Sequence, residues 1–194
     1  MSRETIYHCL HYVHNLFERN EIWHSLIYGT LLGAVRDENI IEWDHDFDML
    51  IRPEDLFTVL SFNHGVRKDG FHFDLMRYSG KSLAVNKNGG GSFWNCSLSV
   101  MWKGQKIGDL YTFFTFNDGV LRRFDLEKDV YWCPHSSFPA YFIEKTETVM
   151  LNGTPYPGLR APEKWLEGVY GQDWETPYRA PMQGGTPRKC DNPR

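Results

Sequence analysis

Three aspartates stand at alternate positions in Trp43-Asp44-His45-Asp46-Phe47-Asp48-Met49-Leu50. In an extended chain residues i and i+2 share a face. Asp46 and Asp48 therefore project together, Asp44 follows as far as the strand reaches, and Phe47 and Met49 turn to the core. Carboxylates crowded on one face repel, and one left without a counter-charge has to protonate. A divalent cation removes that conflict, and carboxylate oxygens are what Mg²⁺ takes. An EF-hand loop starting at Asp44 would need Gly at its sixth and Glu at its twelfth position, where this chain has Met49 and Asp55. The plain competitor is a solvated acidic strand edge, and the neighbouring residues weigh against it. Gly29-Thr30 stands between a strand-like and a helix-like segment, a placement that lets N–H groups and a hydroxyl approach a phosphate. Arg36 follows, with a bidentate fork for phosphate charge or for a surface ion pair. Asp109, in Ile107-Gly108-Asp109-Leu110-Tyr111, adds a carboxylate within a later apolar stretch. It is either a fourth member of the group or an edge aspartate at a bulge beside Gly108.

The elements that must position these residues can be read from periodicity. Ile6, Cys9, Leu10, Val13, Leu16 and Phe17 fall on one face of an N-terminal helix. His8, His11 and His14 fall on the other side, with no carboxylate or cysteine partner in view, and read as a solvated face. Residues 23–28 suit a short strand, 31–36 one or two helical turns, 37–39 a turn and 40–51 an extended stretch. Pro53 opens a helix over 53–60, which Asn63-His64-Gly65 ends. Residues 71–78, 82–86, 93–102 and 106–117 read as strands, with turns at 88–92, at Lys103-Gly104 and at Asn117-Asp118-Gly119. The last third, punctuated by Pro134, Pro139, Pro155, Pro157 and Pro162, promises few regular elements. One helix is plain: Pro162 in its first turn, Trp165, Leu166, Val169 and Tyr170 as its apolar face, Gly171 as its stop. The order α-β-α-β-α followed by antiparallel strands indicates an α+β fold.

The chain has 194 residues, 41% hydrophobic and 24% charged, with a net charge of −4. At roughly 150 residues per domain this is one domain, long enough to bury a core. Disorder as the main state and a coiled coil are excluded. No basic balance argues for a nucleic-acid partner. Cys9, Cys96, Cys133 and Cys190 are widely spaced with no CxxC pair, which reads as thiols in a reducing compartment. No run approaches the roughly 20 apolar residues of a membrane span, and the N-terminus does not read as a signal peptide. The expectation is a cytoplasmic protein.

Gly-Thr after a strand, a helix, Asp-x-Asp on a strand and a third Asp on a later strand resembles the layout of the nucleotidyltransferase fold. The string Tyr28-Gly-Thr-Leu-Leu-Gly-Ala-Val-Arg36, followed by Ile41-Glu-Trp-Asp-His-Asp-Phe-Asp48, is similar to the signature of the LicD/fukutin family of phosphotransferases. So is Pro162-Glu-Lys-Trp-Leu-Glu-Gly-Val-Tyr-Gly-Gln-Asp-Trp174 with Pro177. Phe47 stands where that family often has Ile or Val, and the cysteine zinc site of some eukaryotic members has no counterpart to map. The resemblance implies a mixed central β-sheet flanked by helices, in a single domain over 1–178 with a loosely held Pro/Gly-rich tail over 179–194. It implies Asp46, Asp48 and Asp109 as ligands of Mg²⁺, with Mn²⁺ as the alternative. Asp44 then helps to hold metal or acceptor, and Gly29, Thr30 and Arg36 lie on the phosphate side. The implied reaction moves a phospho-alcohol (phosphocholine, ribitol phosphate or glycerol phosphate) from a CDP-activated donor to a sugar hydroxyl of a glycan or glycolipid, releasing CMP. The run 120–158, with Tyr131, Trp132, His135 and Tyr141, is the expected acceptor side. Two other readings share the same residues: a nucleotidyltransferase acting on a small acceptor, and a non-catalytic sugar- or nucleotide-binding module.

Overall fold

A computed structural model describes residues 1–75, 97–122 and 137–177. The expected strand 82–86, the turn 88–92, Tyr131, Trp132 and His135, three of the four cysteines and the tail 179–194 lie outside the described residues.

Helix α1 (Arg3–Arg19) starts at Ser2, whose side chain accepts a hydrogen bond from the Thr5 amide, an N-cap that satisfies one of the helix's orphan donors. Its apolar face is the expected one: Ile6, Cys9, Leu10, Val13 and Phe17 are fully buried, each worth about 1.5–3 kcal/mol for the larger side chains. Leu16 is only partly covered. Tyr12 stacks on Phe71 with ring centroids 4.0 Å apart.

The sheet has strands β1 (His24–Leu26), β2 (Phe47–Ile51), β3 (Phe71–Leu75), β4 (Leu98–Trp102) and β5 (Gln105–Thr112), in the order β1-β2-β5-β4-β3. β2 and β5 run parallel and the other pairs are antiparallel, so the sheet is mixed. The other α-helices among the described residues are α2 (Tyr28–Asp37), α3 (Leu56–Ser61), α4 (Asn63–Val66) and α5 (Pro162–Tyr170). The α+β reading holds, with helices flanking a mixed central sheet. No described helix is long and apolar enough to cross a membrane.

Several local expectations change. Helix α2 begins at Tyr28, so Gly29 and Thr30 lie in its first turn rather than in a turn before it. The chain over 40–46 is irregular, and only Phe47–Ile51 is strand. The helix expected over 53–60 is a 3₁₀ turn, Pro53–Asp55, leading into α3, and Asn63-His64-Gly65 opens α4 instead of ending the helix. The strand expected over 106–117 breaks at Phe113. Phe114–Thr115 (β6) joins a second sheet with Val120–Arg122 (β7) and Ser137–Pro139 (β8). The last third also contains a hairpin, β9 (Glu147–Leu151) and β10 (Thr154–Gly158). Asn152 and Gly153, with φ of 50° and 73°, form the two-residue turn that hairpins favour. Pro155 and Pro157 had argued against a strand there, yet proline is accepted on an edge strand, and β10 pairs only with β9 in its two-stranded sheet.

Candidate active site

The parallel pairing of β2 and β5 sets Asp48 directly opposite Asp109. Partners in a ladder point to the same face, on strands about 4.8 Å apart. Phe47 pairs with Gly108 on the other face. A Cβ on Gly108 would sit 2.7 Å from two atoms of the Phe47 ring, so the buried ring beneath the site demands glycine beside Asp109. Asp46 precedes β2 and is partly exposed.

Lys106 joins this group through a bulge. Residues 106 and 109 of a regular strand face opposite ways, but the β4–β5 register shifts between Val100 and Met101, so that Val100 pairs with Gly108 and Met101 with Lys106. The extra residue, Ile107, goes to the core, where it is fully buried, and Lys106 comes round to the aspartates. Its Nζ lies 2.6 Å from Asp109 Oδ2 and 3.7 Å from Asp46 Oδ2. Asp109, only 5% exposed, has Ser99 Oγ 3.5 Å from its Oδ1 and the Tyr111 hydroxyl 3.4 Å from its Oδ2.

Helix α2 supplies the other wall. The Thr30 hydroxyl accepts a hydrogen bond of 2.8 Å from the Asp48 amide. That bond ties the first turn of α2 to the strand and makes Thr30 a positioning group for Asp48. A Cβ on Gly29 would meet Asp44 Oδ2 at 2.7 Å and Asp48 Oδ2 at 3.6 Å; glycine lets both carboxylates close on the helix. The Asp44 carboxylate accepts from the His45 amide at 3.1 Å. Arg36 is not brought into the group. It lies six residues beyond Thr30, roughly 9 Å along the helix, where its fork takes both oxygens of Asp37 at 2.9 and 2.6 Å.

The charges in this group are in conflict. Burial first, then the charges of Asp46, Asp109 and Asp44, push Asp48 well above the usual carboxylate range. Burial and the Asp46 charge raise Asp44 to about 6. Burial alone would lower Lys106, but its bond to Asp109 and the charges of Asp46 and Asp48 carry it above its ordinary value. Burial, and after it the charges of Asp48, Tyr28 and Asp44, raise Tyr170 of α5. Tyr28 packs edge-on to Tyr111 at 4.9 Å and lies 5.7 Å from the Trp165 ring, so an aromatic wall borders the aspartates. An all-oxygen donor set that one ammonium only partly neutralises fits a hard divalent cation.

The structure thus sets Asp48 against Asp109, Asp44 and Asp48 against Gly29, Thr30 against the Asp48 amide, and Lys106 between Asp109 and Asp46. Lys106, Tyr111 and Tyr170 were not singled out from the sequence. Tyr111 had a readable signal, two residues from Asp109 on one strand, whereas Lys106 depends on the bulge and Tyr170 on the docking of α5.

Comparison with known proteins bears on this site. A stretch of 46 residues is 44% identical to the lipopolysaccharide cholinephosphotransferase LicD of Haemophilus influenzae, covering 24% of this chain and 17% of that protein's length. Among solved structures, the lincomycin-bound lincosamide antibiotic adenylyltransferase LnuA superposes with a TM-score of 0.46 and 12% identity over 78% of each chain. The model of the LicD/FKTN/FKRP nucleotidyltransferase domain matches residues 21–159, a span that holds all four aspartates, and the chain belongs to that family.

Proposed function

We propose that this protein transfers a phospho-alcohol from a CDP-activated donor to a sugar hydroxyl of a glycan, with release of CMP. The observation that carries the reading is the in-register opposition of Asp48 and Asp109, with Asp44 beside Asp48 at Gly29 and Lys106 reaching both Asp109 and Asp46. Membership of the LicD/FKTN/FKRP family supports the reaction class. Asp46, Asp48 and Asp109 would hold the metal, Mg²⁺ or Mn²⁺, which when bound supplies charge neutralisation across the donor's diphosphate.

The remaining steps belong to the chain itself. The first turn of α2, with Gly29 and Thr30, fixes the height of Asp48 against the strand. Lys106, 45% exposed at its side chain, can swing from Asp109 towards an incoming phosphate and return as the product leaves. Transfer of a phosphoryl group depends mainly on positioning and charge, and these residues provide both. The acceptor hydroxyl attacks the phosphorus that bears the alcohol, the bond from that phosphorus to the CMP oxygen breaks, and the hydroxyl proton passes to Asp109. Tyr28, Tyr111 and Tyr170 form the wall against which the donor lies.

The test is CMP release from CDP-choline, CDP-ribitol and CDP-glycerol with Mg²⁺ and a mixed glycan pool, run beside Asp46→Asn. Release from one donor that disappears in the variant supports the proposal and names the alcohol. Pyrophosphate release from a nucleoside triphosphate, with all three CDP donors silent, overturns it in favour of nucleotidyl transfer.

A further inference from the structure

His14 was expected on a solvated face of α1, as His8 and His11 are. The fold corrects this. His14 and Glu18 stand four residues apart, one above the other on the helix, and β1 brings the buried His24 to them. His14 Nδ1 lies 2.8 Å from His24 Nε2, and Glu18 Oε1 lies 3.7 Å from the same nitrogen. One ligand atom from each residue falls within 4.8 Å of the other two.

The protons can be placed from the contacts. His24 Nδ1 is 2.9 Å from the Ile22 carbonyl oxygen, which can only accept, so Nδ1 carries the hydrogen. Nε2 then presents its lone pair towards His14 and Glu18. A hydrogen bond from the far ring nitrogen to a carbonyl is the arrangement that orients histidines at metal centres. In the metal-free protein His14 Nδ1–H donates to that lone pair. Burial lowers both imidazoles, His14 to about 4, so both rings are in the neutral form that binds metal.

We propose that His14 Nδ1, His24 Nε2 and the Glu18 carboxylate form a zinc site that clamps α1 to β1, with water as the fourth ligand. Tetrahedral Zn²⁺ with bonds of about 2.0–2.1 Å needs ligand atoms about 3.4 Å apart. The present spacings of 2.8 and 3.7 Å straddle that edge, and with all three ligand atoms within 4.8 Å of one another a turn of the His14 ring and of the exposed Glu18 side chain converts the group. On binding, His14 gives up its Nδ1 proton and carries one on Nε2 instead, staying neutral. Imidazole nitrogen selects zinc over magnesium, which separates this site in chemistry from the aspartates. The two are also separate in space. His24 pairs with Ile51, three residues along β2 from Asp48, roughly 10 Å at 3.3 Å per residue. Glu18 is 59% exposed at its side chain and gives the ion a way in from solvent.

The experiment titrates the chelator-treated full chain with Co²⁺, read by its visible absorption, and with Zn²⁺, read by displacement of cobalt and by Tm. The expected result is a single equivalent with the intense bands of four-coordinate cobalt, and a Tm rise of roughly 5–10 °C once zinc is about a hundredfold above its Kd. Glu18→Gln, at an exposed position that the fold does not need, and His14→Gln each weaken zinc at least tenfold, whereas Asp48→Asn binds it as the parent does. Absence of any zinc-dependent change, equal affinity in Glu18→Gln and His14→Gln, or loss of the site in Asp48→Asn each overturns the proposal.

Discussion

The four aspartates and the group of His14, Glu18 and His24 lie towards opposite ends of the β1–β2 pair, and they are held together by opposite means. The aspartates repel one another and stay close because the backbone leaves them no choice. The β2–β5 register sets Asp48 against Asp109, the bulge at Ile107 turns Lys106 to them, and the first turn of α2 closes over Asp44 and Asp48. The histidines attract: a hydrogen bond joins the two rings and another ties His24 to Ile22. The aspartate group is therefore in electrostatic conflict, eased by Lys106 and by the raised Asp44 and Asp48 carboxyls, while the histidine group is satisfied as it stands. Crowded carboxyls with raised proton affinity mark a candidate working site, because a cation or a reacting group can exploit the conflict. Satisfaction marks a joint, which a ligand can only tighten.

The sharpest way to break this contrast is Asp48→Asn. The amide keeps the shape and removes one charge. CMP release should fall about a thousandfold or more, the equivalent of ~4 kcal/mol of barrier. The Tm of the metal-free variant should hold or rise, because a like charge has gone. A large fall in Tm would show that Asp48 supports the fold and that the aspartates are not strained.

His24→Ala should show the reverse pattern. The imidazole is 3% exposed, so its removal leaves a cavity, the Ile22 carbonyl without its donor and His14 without its acceptor. The expected loss is about 2–4 kcal/mol in urea unfolding of the metal-free protein. An unchanged midpoint would mean that the ring pair adds nothing to the joint.

The two groups were also unequally legible. Asp44, Asp46 and Asp48 are neighbours in sequence, and alternation alone brings them near one another. Asp109 could be read as a candidate, but its opposition to Asp48 is a fact of sheet register, which no local pattern states. Thr30 was placed on the phosphate side, and the reading missed that its hydroxyl is engaged by the Asp48 amide, because α2 starts at Tyr28, three residues before the helix expected from Leu31. The same longer helix carries Arg36 away from the group. At the other end, His14 and Glu18 share helical spacing, and the sequence reading overlooked that carboxylate. What makes them a site is His24, on another element, and pairing across elements is set by tertiary packing. The hairpin at Asn152-Gly153 was legible in its turn residues and was obscured by two prolines that an edge strand tolerates.

Gly108→Ala tests whether the backbone really enforces the aspartate geometry. The added methyl would meet the fully buried Phe47 ring at 2.7 Å, and a rigid ring in a packed core cannot give way cheaply. About 1–3 kcal/mol of stability should be lost, with a further loss of CMP release as Asp109 moves off its register with Asp48. Phe47→Leu, a smaller side chain at the same place, should restore part of both in the double variant. A double-mutant cycle with no coupling between the two positions would place the strain elsewhere.

Glu18→Gln is the smallest expected effect and the one that defines the joint. The carboxylate is mostly in water and 3.7 Å from a neutral ring, so in the metal-free protein its loss should change stability by less than ~0.5 kcal/mol. Removing a carboxylate from the aspartate group should cost CMP release, whereas removing this one should cost almost nothing until zinc is added. The comparison then rests on a difference between two melting curves. The parent should gain in Tm with zinc and the variant should gain much less, while without zinc the two should coincide. A variant already destabilised in chelator would make Glu18 part of the resting structure, and the satisfied joint would prove to depend on a charge after all.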